Sequence, residues 1–374
     1  MNETPALCIV GPQPPPLHGV SAINRALLDL TMNMGARPRA FNTAALSLKR
    51  SLRDRLSKLR PAWRAISGTA ATLRGHRDAV VYCSVSGGYG VLSELPIVRL
   101  ARKYRARLVL HHHSFNYLDA PSRLMSLLTR CAGPDAIHVL LSAPMEHIFR
   151  SRYPAVRQTL TISNAAFLGQ PGQSHRPRRS KCRVIGHLSN LAPEKGVFEV
   201  VDLAQRMHSA KLDFEFRVAG PFQNETVEQE FKRRTRRLEN LRYLGPLQGV
   251  EKDKFFAELD AFVFPTVYRN EAEPLVLLEA LAHACPVISY DRGSISHLID
   301  SACGALLRTD EAFCVRAAPI LENWQTNTDE HHGRRSAALR KFEVLRDAAN
   351  TAKVQLLEIL TGSDIAKPLH PSPT

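Results

Sequence analysis

Short apolar runs of strand length recur along the chain, each followed by an amphipathic stretch long enough for a helix, and this alternation limits the fold more than any other feature. In the first half the runs are Ala6–Gly11, Ala79–Val85, Arg107–His113 and Ala136–Ser142. In the second half they are Arg183–Leu188, Phe214–Gly220, Leu241–Gly245, Ala261–Pro265, Val287–Tyr290 and Ala305–Leu307. Strands this apolar, separated by helices, belong to parallel sheets covered on both faces. Four to six strands on each side of one break predict an α/β chain of two doubly wound, Rossmann-like domains. With 374 residues, each half can bury its own core.

The break is the stretch GQPGQSHRPRRSK at 169–181, rich in Gly, Pro and basic residues and without an apolar period, as in a linker. The expected organisation is therefore a first domain over 1–170, a linker over 171–182 and a second domain over 183–342. Phe342, Leu345, Ala348, Ala352, Leu356 and Leu360 then recur at helical spacing, predicting a final helix over 343–361 that packs back on the first domain. The tail, 362–374, carries Pro368, Pro371 and Pro373 and is expected to fray.

Composition excludes several classes. Seven cysteines, an odd number with no CxxC pair, argue against a disulfide framework or a structural zinc site. No apolar run approaches the roughly 20 residues that span a bilayer. The start, Met-Asn-Glu-Thr-Pro, has no basic and apolar leader, so a cytoplasmic chain is expected. The net charge of +15 suits a polyanionic partner without choosing among nucleic acid, anionic lipid and phosphorylated substrates. Part of that excess, KRRTRR at Lys232–Arg237, reads most simply as a solvated face.

In open parallel sheets, ligands bind beyond the carboxyl ends of the strands, and four such places carry polar or glycine-rich sequence. After Phe264-Pro265 comes a polar loop with Glu271 and Glu273, then a helix of about Leu275–Ala284 with Pro274 suited to its first position and Glu279 in its second turn. The free amides near Leu275 and Val276 are candidate phosphate donors, and a carboxylate one turn further in can accept from a ribose diol. The structural alternative is that the acids only favour a helix start. After Leu188 a loop leads to Lys195-Gly196, where a lysine at a helix opening can set its ammonium on a phosphate. After Val10 the loop GPQPPPLHGV precedes a helix of about Ser21–Met34, and Gly19 allows close backbone approach. After Leu110, His111, His112 and His113 alternate faces and cannot converge on one metal.

These segments resemble one family. EAEPLVLLEALAHACPVI is similar to the E-x7-E signature of the family-four retaining glycosyltransferases with the GT-B fold (glycosyl transferases group 1), with Glu271 and Glu279 at its two acidic positions. SNLAPEKG resembles the family's SNL-x3-KG loop, and GPQPPPLHGV its GP-x-PPP-x-GGV loop. Ile162-Ser163-Asn164, Val218–Pro221 and Tyr243–Gly245 match in outline, so the resemblance runs over about Ala6–Ile299. It implies a GT-B architecture of two Rossmann-like domains facing a central cleft. It implies that Glu271 faces the donor sugar, Glu279 the nucleotide ribose, Lys195 and the amides at Leu275 and Val276 the diphosphate, and His113, with His111 as the second choice, the sugar. Gly19 lies in the loop facing donor and acceptor. Departures are His18 for a glycine, Ala284 for a glycine, His297 for a common glutamate, and Asn190 where many members carry an arginine. Arg292, His187 and Arg269 are the available cations to replace that arginine.

The activity so implied is transfer of a sugar from a nucleoside diphosphate sugar to an acceptor hydroxyl with retained configuration, without a metal or other cofactor, in polysaccharide, lipopolysaccharide or other glycoconjugate assembly. No DxD-type pair argues for a metal. The expected partners are a nucleotide-sugar and an acceptor glycan or lipid-linked sugar. Lys49–Arg64, basic with Leu48, Leu52, Leu56, Leu59 and Trp63 along one side, predicts a helix that lies on an anionic membrane at the inner face of the plasma membrane. The structural alternative there is an ordinary helix of the first domain. Two rival functions are a GT-B-like sugar-nucleotide epimerase and a basic nucleic-acid binder. The second is disfavoured by 7% aromatic content without an interleaved basic platform.

Overall fold

The computed structural model describes residues 5–15, 18–43, 59–76, 78–169 and 181–362. The chain divides into two compact units, Met1–Phe167 with Asp347–Thr374, and Leu168–Arg346. Most of the predicted linker (170–180), the tail from 363 and the larger part of the basic stretch (44–58) lie outside the described residues. Cys182, assigned above to the linker, is instead fully buried in the core of the second unit.

The first unit holds a parallel six-stranded sheet of β1 (Leu7–Gly11), β2 (Arg39–Asn42), β3 (Val80–Val85), β4 (Arg107–His112), β5 (Ile137–Leu140) and β6 (Gln158–Thr161), in the order β2-β1-β3-β4-β5-β6. The four central strands are the apolar runs of the sequence. The two edges, β2 and β6, were not predicted: an edge strand pairs on one side only, and RAFN and QTLT stay largely exposed or half-buried, so neither needs an apolar run. The core joins Leu7, Ile9, Tyr82, Val109 and Val139 of the sheet to Leu356, Leu357 and Leu360 of the last helix. That helix runs Thr328–Thr361, starting well before the predicted 343, and its Lys353 ammonium donates to the Ala166 carbonyl at 3.1 Å.

The second unit holds β7 (Val184–Leu188), β8 (Glu215–Ala219), β9 (Leu241–Tyr243), β10 (Ala261–Phe264), β11 (Val287–Tyr290) and β12 (Gly304–Leu307). All pair in parallel, in the order β12-β11-β10-β7-β8-β9. Chain direction across the sheet therefore reverses between β7 and β10. At such a switch point the connections leave to opposite faces and open a crevice at the strand ends. The core of this unit packs Ile185, Phe216, Val218, Val263 and Ile288 against Val200, Ala204, Leu321 and Trp324 of the covering helices.

Two helix ends differ from the sequence expectation. The helix Leu275–Ala282 has Pro274 at its N-cap, at φ −66° and ψ 122°, and not at its first turn. Proline suits that place too, since the cap residue is extended and its N–H makes no helical bond. At the other end Ala284 takes a left-handed φ of 52° while its N–H closes on Leu281 O at 2.9 Å. A Cβ in that conformation costs about 1–2 kcal/mol, against about 0.5–1 kcal/mol of extra chain entropy lost by glycine. Ala284→Gly is thus expected to raise stability by roughly 0.5–1 kcal/mol, seen as a higher urea midpoint with an unchanged slope.

Candidate functional site

The two loops that leave the switch point of the second unit are fastened to each other. The loop after β7 closes in a 3-10 turn, Pro193–Lys195, and the helix Val197–Ser209 starts only beyond Gly196. Lys195 therefore stands just before the helix, not within its opening turn as the sequence suggests. Gly196 has φ 83°, and a Cβ there would lie 2.3 Å from the Pro265 carbonyl oxygen, so only glycine lets the two loops come this close. Val267 N–H donates to Glu194 O at 2.9 Å across the same seam. Gly293, at φ 63°, leaves equal room from the other side, since a Cβ would sit 2.1 Å from Glu271 O.

This closeness brings Lys195 and Glu271 into direct contact: the ammonium donates to Glu271 Oε2. Thr266 Oγ1 donates to the same oxygen at 3.2 Å, and the ring of Tyr268 lies 4.5 Å from Lys195 Nζ. The side chains are 19% and 10% exposed, so the pair is partly desolvated and still reachable from solvent. Glu279 is engaged separately, accepting from Lys252 of the helix Gly249–Ala257. Burial pushes the Glu279 carboxyl up from the ordinary carboxylate range, and Lys252 pulls it back. The Leu275 and Val276 amides open the intervening helix, where first-turn N–H groups have no intrahelical partner.

Of the cations singled out for the missing arginine, His187 and Arg292 are engaged elsewhere, while Arg269 is exposed on the Glu271 loop with no side-chain ion pair among the described residues. Asn190 is exposed on the loop after β7. His187 is fully buried between Val263 O, at 3.0 Å, and Ser189 Oγ, at 2.9 Å, and burial lowers it to about 4, so it is neutral near pH 7. Arg292 spends its guanidinium on the carbonyls of Tyr268, at 3.3 Å, and Arg269, at 2.7 Å, thereby bracing the Glu271 loop. Sequence reasoning missed Lys252, Thr266 and Tyr268. Thr266 and Tyr268 lay in a loop already marked as functional, but Lys252 sits in the run EKDK, which resembles any solvated helix start.

The remaining candidates belong to the first unit. Gly19 begins the helix Gly19–Asn33, and His18 caps it: Ser21 N–H donates to His18 Nδ1 at 3.4 Å, and His18 N–H to Ser21 Oγ at 2.8 Å. His18 is extended, at φ −146°, so the glycine it replaces is not required by the backbone. His113 follows β4 with its ring centroid 4.0 Å from that of His111, and its Nε2 is buried without a hydrogen-bond partner. Burial, with the nearby His18, lowers His113 to about 3. His111 and His112 are occupied internally: His111 Nδ1 meets Tyr82 OH at 2.7 Å, and His112 Nδ1 meets Tyr117 OH at 2.9 Å while its Nε2 meets His138 Nδ1 at 2.9 Å. Among the described residues, no group of three or more His, Cys, Asp or Glu is placed to hold a metal.

Two Rossmann-like units, the second with its acidic and basic residues gathered at the switch point, define the GT-B fold. Residues 173–332, most of the second unit, match the family model of glycosyl transferases group 1. The fold is shared with solved structures. Anabaena HepE in complex with UDP superposes with a TM-score of 0.68 at 16% identity, over 94% of this chain and 99% of that one. The lipopolysaccharide outer core galactosyltransferase WaaB in its apo form gives 0.65 at 15% identity, over 94% and 98%. A glycosyltransferase from Rickettsia africae gives 0.64 at 12% identity, over 96% and 100%. No curated protein matches the sequence.

The buried imidazoles fix how stability depends on pH. His113 and His138 are lowered to about 3, His187 to about 4, and His111 and His112 well below the ordinary 6.5, in each case first by burial. In the unfolded chain all of these protonate near 6.5, so acid favours unfolding as pH falls from 6.5 towards 3. Glu94, raised to about 8 by burial, works in the opposite sense, as do Glu199 and Glu279, but the imidazoles outnumber them. The urea midpoint is expected to fall between pH 6.5 and pH 5, above the range where exposed carboxylates titrate. A flat profile across that interval contradicts the neutral burial of these side chains.

Proposed function

We propose that the chain is a retaining, metal-independent glycosyltransferase that moves a hexose from a nucleoside diphosphate sugar to an acceptor hydroxyl. The observation that carries this reading is the Lys195–Glu271 pair beside a helix N-terminus at the β7/β10 switch point. The diphosphate lies against the Leu275 and Val276 amides, with the Lys195 N–H groups not used by Glu271 turned to it. Glu271 accepts from the sugar hydroxyls, and the ribose diol bonds to Glu279. His113, neutral at pH 7, contributes a hydrogen bond and not a charge. UDP is the first nucleotide to test, since HepE and the pneumococcal O-GlcNAc transferase GtfA were both solved with UDP.

In the reaction, the bond from the anomeric carbon to the β-phosphate oxygen breaks and a bond to the acceptor oxygen forms on the same face. The acceptor proton passes to the departing diphosphate. Negative charge grows on the leaving group, where lysine and amides aimed in advance stabilise it most. Lys195→Ala and Glu279→Ala are each expected to lower donor turnover at least about 100-fold, with circular dichroism and melting showing a folded protein. EDTA is expected to leave turnover unchanged. Wild-type rates in either folded variant remove these residues from the site, and loss of activity in EDTA overturns metal independence. Nucleoside diphosphate released only with acceptor present separates transfer from epimerisation.

The acceptor belongs, on this reading, to polysaccharide or lipopolysaccharide assembly, WaaB being one such enzyme with the same fold. The described end of the basic stretch supports work at a membrane surface: Trp63 is 72% exposed, flanked by exposed Arg60 and Arg64 on the helix Leu59–Gly75. Among the described residues, no helix is long and apolar enough to cross a membrane. The protein is expected to float with phosphatidylglycerol vesicles at low salt and to release at high salt. Failure to float at any salt rules the membrane reading out.

A further inference from the structure

Glu279 is the one polar side chain of the helix LVLLEALA, and it is 14% exposed. Its partner, Lys252, comes from a different helix 27 positions earlier and is 23% exposed. Stability alone is a poor reason to keep such a pair. Two partly buried charges roughly break even against well-packed apolar residues of the same size. The charge environment gives a better one. Burial and the neighbouring Asp253 both push the Glu279 carboxyl towards its neutral form, and Lys252 is what opposes them. A neutral carboxyl presents one donor and a weaker acceptor, whereas a carboxylate accepts from two hydroxyls at once.

The geometry divides the carboxylate between two tasks. Lys252 Nζ takes Oε1, and among the described residues Oε2 accepts no hydrogen bond. We infer that Lys252 is a positioning residue of the donor site: by clamping one oxygen of Glu279, it leaves the other to accept from the ribose hydroxyls of a nucleoside diphosphate. This rests on the donor-site reading given above. It goes further in assigning recognition of ribose to a two-residue device and in giving Lys252 no direct phosphate contact.

The test is calorimetric titration of the whole chain with UDP and with 2′,3′-dideoxy-UDP. The wild type is expected to bind UDP at least tenfold more tightly than the dideoxy nucleotide. Lys252→Met, similar in length but uncharged, is expected to lose at least tenfold in UDP affinity and less than twofold for the dideoxy nucleotide. Lys252→Arg is expected to restore most of the discrimination. In a Glu279→Gln background, Lys252→Met is expected to change UDP binding less than twofold, because the two residues act as one unit. Equal weakening of both nucleotides in Lys252→Met points to a general charge or packing effect and overturns the inference, as does no change in either. Should Lys252→Met fail to fold, Lys252→Gln decides by the same criteria: lost UDP affinity with dideoxy-UDP binding retained supports the positioning role, and equal weakening of both nucleotides or no change in either overturns it. A wild type that binds neither nucleotide overturns the donor-site reading itself, while one that binds both equally overturns only the assignment of ribose.

Discussion

The contact between Lys195 and Glu271 organises the second unit's working end. Each residue stands on a loop leaving one of the two strands that flank the switch point, so the ion pair is also a tie between β7 and β10. Left alone at 10% exposure, the Glu271 carboxylate loses solvation with little return. The tie depends on backbone details around it: Gly196 and Gly293 remove the Cβ atoms that would force the loops apart, and Val267 N–H to Glu194 O closes the seam. A loop that is usually the most mobile part of a domain is here held by several independent bonds.

Three cations around this site are committed to partners. Lys195 is bonded to Glu271, Lys252 to Glu279, and Arg292 to two carbonyls. On the proposed donor-site reading, a diphosphate there meets dipoles and shared N–H groups more than bare positive charge. On the described surface the basic run KRRTRR is itself partly neutralised: Lys232 pairs with Glu228, Arg233 with Glu230, and Arg234 with Glu230 and Asp202.

Sequence pattern reveals the interior far better than it reveals edges and partners. The buried strands β3, β7, β10 and β11 are legible because a strand covered on both faces must be apolar throughout. β2 and β6 are not, because an edge carries no such requirement. At the site, Lys195, Glu271 and Glu279 stand out through their place in motifs, but the motifs do not say that two of them touch. Nor do they say that the third is held by Lys252, a residue with nothing local to mark it. His187 shows the converse: a histidine near a loop expected to bind phosphate looks like a cation until its full burial is known.

The cap formed by His18 carries a consequence for how this loop can vary. Its extended backbone accepts any L-residue, and its imidazole takes over a task, bonding the Ser21 N–H, that asparagine, aspartate or serine perform equally well at such a place. The backbone therefore leaves the choice of side chain at position 18 open. Side chains that keep the cap can be exchanged there without remodelling the polypeptide around them.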